Sequence, residues 1–303
     1  MRRIILLTAW NDSGAGHLCR YLDGSKELNI LPFETLLGSA CIAGISSFSE
    51  LVHPWYRWNL FRDETSVDSF FDFEEPELMS WLSNEKFNIL PHFRKPIIRA
   101  RSEFYKAISV DQSNFLNATR NYIFTISQTF FPDSNADILV HVPCAMLDSY
   151  HPNFKKLFDK VVVVFINPLC GYINMNKRNG ITPSRYFQRW KIINSLSLKY
   201  THENFDNTCL ISNTLNRKSF VNNSKTIFEF LNLPSSSCLE KPTLLGEYLK
   251  NPFYPFGGLL SLDNKIKDIS ALAHQLNSEV LDNERDLQLE CSLMYAALQH
   301  HAK

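Results

Sequence analysis

IILLTAWNDSGAGHLCRYLDG, residues 4–24, decides how the fold is read. Ile4 to Ala9 is a short apolar run, the pattern of a parallel strand buried on both faces. Asn11 to Gly16 is a loop with two glycines, and His17 to Leu22 continues as a helix. Strand, glycine loop and helix start together form an anion cradle. Glycines let backbone N–H groups crowd around a phosphate, and the helix N-terminus adds a partial positive charge. Two familiar phosphate motifs are absent. No lysine followed by Ser or Thr comes after Gly16, so there is no Walker pattern, and Gly14-Ala15-Gly16 lacks the third glycine of GxGxxG. The segment reads as a phosphate cradle or as an ordinary strand-to-helix turn.

The chain has 303 residues, 45% of them apolar and 20% charged, which is globular composition. Its 31 basic and 31 acidic residues cancel. No global charge therefore recruits nucleic acid or an anionic membrane, and any basic site is local. Cysteines at 19, 41, 144, 170, 209, 238 and 291 are odd in number and form no CxxC. They read as reduced thiols and point to the cytoplasm. The N-terminal apolar run is too short for a signal segment, and no stretch approaches the length of a membrane span. The sequons at Asn11, Asn117 and Asn222 are then accidental.

Further strands are expected at 29–33, 137–142, 160–166 and 208–212, with helices at 184–200, 224–231 and across 266–299. Lys160 to Ile166 (KVVVVFI) is the clearest strand and, being β-branched, is expected to be parallel and interior. Phe104, Ile108, Phe115, Tyr122, Ile126 and Phe130 recur at helical spacing within 99–131. Residues 51–95 are rich in aromatics and acids, and 51–131 is expected to be a helical insertion. Residues 234–262 read as a long loop. Strands alternating with helices imply one α/β domain over 1–303, doubly wound on a parallel sheet, with ligands beyond the strand C-termini.

This order of pieces resembles the sulfotransferases that use 3′-phosphoadenosine 5′-phosphosulfate (PAPS), nearest to bacterial, carbohydrate and tyrosyl-protein types. Asp12-Ser13-Gly14-Ala15-Gly16, Tyr21-Leu22-Asp23-Gly24 and Pro32-Phe33-Glu34 follow the family's opening. Val161 to Ile166 with Asn167-Pro168 stands for its strand ending in Arg-Asp-Pro, and Asn174 falls near its serine. Trp190, Phe230-Leu231-Asn232-Leu233-Pro234, Pro242-Thr243 with Gly246, and the glycines at 257 and 258 match its later landmarks. The resemblance implies a P-loop-like three-layer sandwich with a central parallel sheet. It also implies PAPS (or its product PAP) as cofactor and a hydroxyl-bearing small molecule, peptide or glycan as acceptor. The chain departs from the pattern where charge is expected. Asp12 replaces a basic residue, Ala15 and Gly16 replace hydroxyls, His141-Val142-Pro143 replaces Lys-Thr-Pro, and Ile166 replaces an arginine. Arg20, His17, Lys177 and Arg178 are candidates to restore it.

Sulfuryl transfer needs in-line geometry, positive groups on the leaving phosphate and a base for the acceptor hydroxyl. The resemblance makes Glu34 the candidate base and places the phosphosulfate on the backbone of Ser13, Gly14, Ala15, Gly16, His17 and Leu18. His17 is a candidate to stabilise the leaving oxygen, and Asn174 to bond the 3′-phosphate. The bland readings are a turn glutamate, a helix-face histidine and a surface asparagine. His141 reads best as a hydrogen-bonded core histidine. The basic cluster Arg94, Lys95, Arg99 and Arg101 reads as a solvated helix face. No histidine spacing suits a metal, and Ser13 and the cysteines lack a triad partner. Three functions stay open: a PAPS-dependent sulfotransferase, a degenerate sulfotransferase fold acting as a binding or scaffold partner, and a nucleotide phosphotransferase. The missing Lys-Ser/Thr argues against the third.

Overall fold

The structure, a computed structural model, describes residues 2–10, 13–34, 115–143, 157–172, 182–234, 240–248 and 286–302, and 95–107 apart from 98, 101 and 105. The aromatic residues 51–94 and the glycines at 257 and 258 lie outside the described residues.

Five strands form one parallel sheet: β1 (Ile4–Ala9), β2 (Leu28–Glu34), β3 (Asp137–Pro143), β4 (Lys160–Ile166) and β5 (Thr208–Asn213). Their order is β2-β3-β1-β4-β5, and every neighbouring pair is parallel. β1 and β4 are both interior, with β1 at the centre. All six residues of β1 are buried, as are Val161 to Ile166 of β4. A strand covered on both faces needs apolar side chains at every position, which is why these runs do not alternate.

Side chains divide by strand pleat between two cores. Ile4, Leu6, Val140, Val163 and Phe165 point to one face. There they meet α2 (Phe115–Phe130), α3 (Pro183–Glu203) and α5 (residues 286–301) through Tyr122, Ile126, Trp190, Ile193, Cys291 and Leu298. Ile5, Leu7, Leu139, Val162 and Val164 point to the other, against α1 (Ala15–Leu22) and α4 (Arg217–Phe230) through Leu18, Leu22, Phe220 and Phe228. Helices on both faces of a parallel sheet make the three-layer α/β sandwich that the sequence implied. Burying each large apolar side chain contributes about 1.5–3 kcal/mol, against the entropy of ordering the chain.

The edges follow local chemistry. β2 is an outer strand, so it accommodates Pro32, which has no N–H to donate, and its register with β3 shifts between Ile30 and Glu34. The described parts of the 51–131 stretch, α2 and the helical residues within 95–107, lie in the connection from β2 to β3. α3 opens with Pro183 in its first turn, where a missing N–H costs nothing, and runs to Glu203. α4 begins seven residues before its apolar periodicity, because Asn216 caps it by accepting from Ser219 N at 2.8 Å. It ends at a left-handed Asn232 (φ 55), with Asn232 N donating to Glu229 O and Leu233 N to Phe228 O. That closure usually takes glycine and admits asparagine.

The expected loop at 234–262 contains, within the described residues, a hairpin of β6 (Thr243–Leu244) and β7 (Glu247–Tyr248). It turns through Leu245 and Gly246, both at positive φ. Among the described residues no helix is long and apolar enough to cross a membrane, and no cluster of His, Cys, Asp or Glu could hold a metal ion.

Candidate functional site

The chain leaves β1 for α1 on one face and β4 for α3 on the other. Their C-terminal ends therefore mark the switch point of the sheet, where open α/β folds bind ligands. The described residues beyond β1 begin at Trp10, buried on the α3 side with its ring 6.0 Å from that of Tyr186. Ser13 N donates to Trp10 O at 3.3 Å. Gly14 then takes a left-handed conformation (φ 82) and forms the N-cap of α1.

Two observations make this helix start the candidate place for an anion. Among the described residues no side chain caps α1, and its first turn carries no acid, so none of them offsets the positive end of the helix. Ser13 is 1% exposed, and its Oγ has no hydrogen-bond partner among the described residues. A buried hydroxyl is ordinarily satisfied. Ser13 N and Leu18 N are used within the protein, the latter on Gly14 O at 2.9 Å. The amides that a helix start leaves over begin with those of Gly14, Ala15 and Gly16. Ala15 is buried, Gly16 and His17 are half-buried, and Leu18 belongs to the core.

The cradle leans on the end of β5. Asn213 Nδ2 donates to Ser13 O at 2.7 Å. Its Oδ1 accepts from Leu215 N at 3.0 Å and from Ser219 Oγ at 3.1 Å. A Cβ on Gly14 would lie 2.5 Å from Asn213 Nδ2 and 2.6 Å from Leu215 Cδ2. Position 14 therefore needs glycine for its φ and for its space. Asn213 was not singled out from the sequence. The available signal was a polar residue closing an otherwise apolar parallel strand, on the side where ligands bind.

The other candidates fall in different places. His17 lies in the first turn of α1, its ring stacked on Phe220 of α4 at 6.0 Å, with Tyr21 on the same ring at 5.4 Å. Glu34 closes β2, and its backbone pairs with His141; β3 separates it from β1. His141 is buried, and desolvation together with the Arg20 charge pushes its pKa down from 6.5 to about 3. It is a neutral core histidine.

Arg20, a candidate to restore charge, is held in the interior. It is 5% exposed, bonds Pro32 O at 3.3 Å, and its charge acts on His141 and Asp23. A buried cation stays only where interior acceptors hold it. Asp23 in turn accepts from Thr243 Oγ1 and Gly246 N, each at 2.8 Å, fastening the β6–β7 hairpin to α1. Burial, the largest influence, raises the Asp23 pKa against those hydrogen bonds. Ile166, at the position of the family's arginine, is a core residue whose carbonyl accepts from Trp190 Nε1 at 3.2 Å. Asn167 Oδ1 caps the next helical turn, accepting from Leu169 N at 3.0 Å and Cys170 N at 3.3 Å. Lys95 and Arg99 are exposed, Arg99 paired with Glu103 at 2.9 Å. Asp12, Arg94, Arg101, Asn174, Lys177 and Arg178 lie outside the described residues.

No protein-family model matches the chain, and no curated protein matches it. Solved structures do. A sulfotransferase domain from the curacin biosynthetic pathway aligns with TM-score 0.50 and 14% identity over 92% of this chain and 98% of that one. The sulfotransferase domain of the Synechococcus PCC 7002 olefin synthase gives TM-score 0.50 and 14% identity over 100% and 96%. The fold is that of a sulfotransferase domain.

Two outcomes follow from this geometry. Gly14→Ala should lower stability by about 2 kcal/mol through backbone strain and the clash with Asn213. Urea unfolding reads this directly, and an unchanged midpoint would contradict the close approach. His141 binds its proton far more weakly folded than unfolded, so its contribution is complete above about pH 6.5 and is lost as pH falls from there toward 3. Melting temperature should decline over that interval, and His141→Gln should flatten the decline.

Proposed function

We propose that this chain is a PAPS-dependent sulfotransferase that passes a sulfuryl group to a hydroxyl of a carbohydrate, peptide or small metabolite. The observation that carries the reading is the uncapped start of α1 behind left-handed Gly14, set at the switch point of a sulfotransferase fold. The residues present fit the phosphosulfate end of the donor. Helix amides and the buried Ser13 hydroxyl supply hydrogen-bond donors to an anion without requiring a basic side chain. When bound, the donor supplies an activated sulfuryl group on a phosphate leaving group.

In this reading Ser13, Gly14, Ala15 and Gly16 hold the phosphosulfate and keep it in line. His17, in the first helical turn, steadies the leaving oxygen. Leu18 serves by anchoring the helix in the core. Glu34, at the end of β2, takes the acceptor's proton, and Asn174 bonds the 3′-phosphate. Each aims fixed dipoles or a base at charge that develops during transfer, where preorganisation contributes most. Cys170 and Cys291 are thiols outside any disulfide, in keeping with a cytoplasmic setting.

One observation favours a second reading, a sulfotransferase fold that binds a partner without catalysing transfer. Ile166 puts an alkyl side chain, wholly within the core, where the resemblance expects an arginine for the 3′-phosphate. Calorimetric titration with PAP, with ATP and NAD as controls, separates the two. The catalytic reading expects selective PAP binding, and no heat with PAP would transfer the case to the second. Glu34→Gln should then lower turnover about 10²-fold with PAP affinity intact; full turnover would remove Glu34 from the mechanism.

A further inference from the structure

We propose that Asn213 is the positioning residue of the cradle: by holding the Ser13 carbonyl toward β5, it aims the Gly14 N–H outward at the donor's phosphosulfate. The inference deepens the donor reading and rests on it for the identity of the anion.

The argument begins with the peptide unit. Ser13 C=O and Gly14 N–H belong to one planar trans amide, so they point in opposite directions. Asn213 Nδ2 donates to Ser13 O at 2.7 Å. Gly14 N–H must then point away from the end of β5. A rotation of that peptide would break the bond and turn the amide out of the cradle.

The side chain at 213 must be an amide. Its Oδ1 accepts from two donors, Leu215 N and Ser219 Oγ. Its other terminus faces a carbonyl, which only accepts. A carboxylate could satisfy the first side but would set two oxygens against each other on the second. The orientation of Asn213 follows from these three partners alone.

The cost of the arrangement is visible nearby. Leu215 takes a left-handed conformation (φ 57), which a side chain adopts only under constraint. Its N–H is held by Asn213 Oδ1, and its Cδ2 closes on the Cα of Gly14 tightly enough to exclude a Cβ there. Asn213 itself is 1% exposed. One buried amide thus ties β5, the first residues of α4 and the cradle into a single unit.

The test uses hydrogen exchange followed by NMR, and PAP titration, on wild type, Asn213→Asp and Ser219→Ala. In wild type, an Asn213 side-chain amide proton should exchange slowly; rapid exchange of both would overturn the proposal without any variant. Asn213→Asp should speed exchange at the Ser13 and Leu18 amides, which donate to Trp10 O and Gly14 O, about tenfold or more while β4 stays protected. It should also weaken PAP binding about tenfold or more. Ser219→Ala keeps the bond to Ser13 O and should leave PAP affinity within about twofold. A merely structural role predicts a lower melting temperature with cradle exchange and PAP affinity unchanged, and that result would overturn the proposal. If wild type binds no PAP, the donor reading fails, and exchange at Ser13 and Leu18 alone then decides whether Asn213 braces the loop.

Discussion

β1 is paired along both edges, with β3 and with β4, and buried on both faces. Its backbone N–H and C=O groups are consumed by the sheet, and its side chains by the two cores. The one outlet for polar chemistry is the point where the strand stops. Everything of functional interest hangs on that restriction: the turn at Ser13, the left-handed Gly14 and the helix that follows. A glycine is needed because α1 must start at once and pack beside α4, which leaves no room for a Cβ against Asn213.

The buried polar groups serve two ends. Arg20 donates to a strand carbonyl and its charge acts on His141 and Asp23, while Asp23 accepts from the hairpin. They organise the β2 side of the molecule, where a charge left unpaired would cost several kcal/mol. At the cradle, by contrast, the helix has no capping side chain and Ser13 Oγ has no partner among the described residues. Ser224 Oγ and Thr208 Oγ1 also lack a hydrogen-bond partner among the described residues, so it is the uncapped helix start at the switch point that favours a ligand there.

Apolar continuity made most of the sheet legible. β1, β4 and β5 are runs that neither alternate nor contain breakers, and their positions were read within a residue or two. Other elements hid for identifiable reasons. The first half of α4 is mostly polar apart from Phe220 and Val221, and its start is marked by the Asn216 cap rather than by periodicity. The β6–β7 hairpin turns through Leu245-Gly246, whereas the readable signal for such a turn is Asn-Gly or Asp-Gly. The cradle was legible as a glycine loop between strand and helix. Its brace was not, because Asn213 is 200 residues from Ser13 along the chain, and only the β1-β4-β5 order brings them together. Arg20 shows a further limit of sequence. Being close to the loop makes it a candidate for charge there but does not tell which way its side chain turns, and the structure buries it, donating to Pro32 O.

On the proposed donor reading, a site built from backbone amides accounts for a loop that can hold an anion without the expected hydroxyls and basic residue. Amides carry no titratable proton, and their direction is set by peptide planarity rather than by side-chain identity. Replacement of hydroxyls by Ala15 and Gly16 leaves those N–H groups in place, because both residues still occupy the first turn of α1. What such a site cannot tolerate is loss of the geometry that points the amides. Sequence constraint should therefore move away from the residues that face the ligand and onto those that hold the loop: Gly14, which alone fits the space, and Asn213, which alone can both accept from Leu215 and donate to Ser13. On the proposed reading the chemistry of the cradle rests on two positions, the N-cap of α1 and the last residue of β5, brought together by strands that do not adjoin in the sheet.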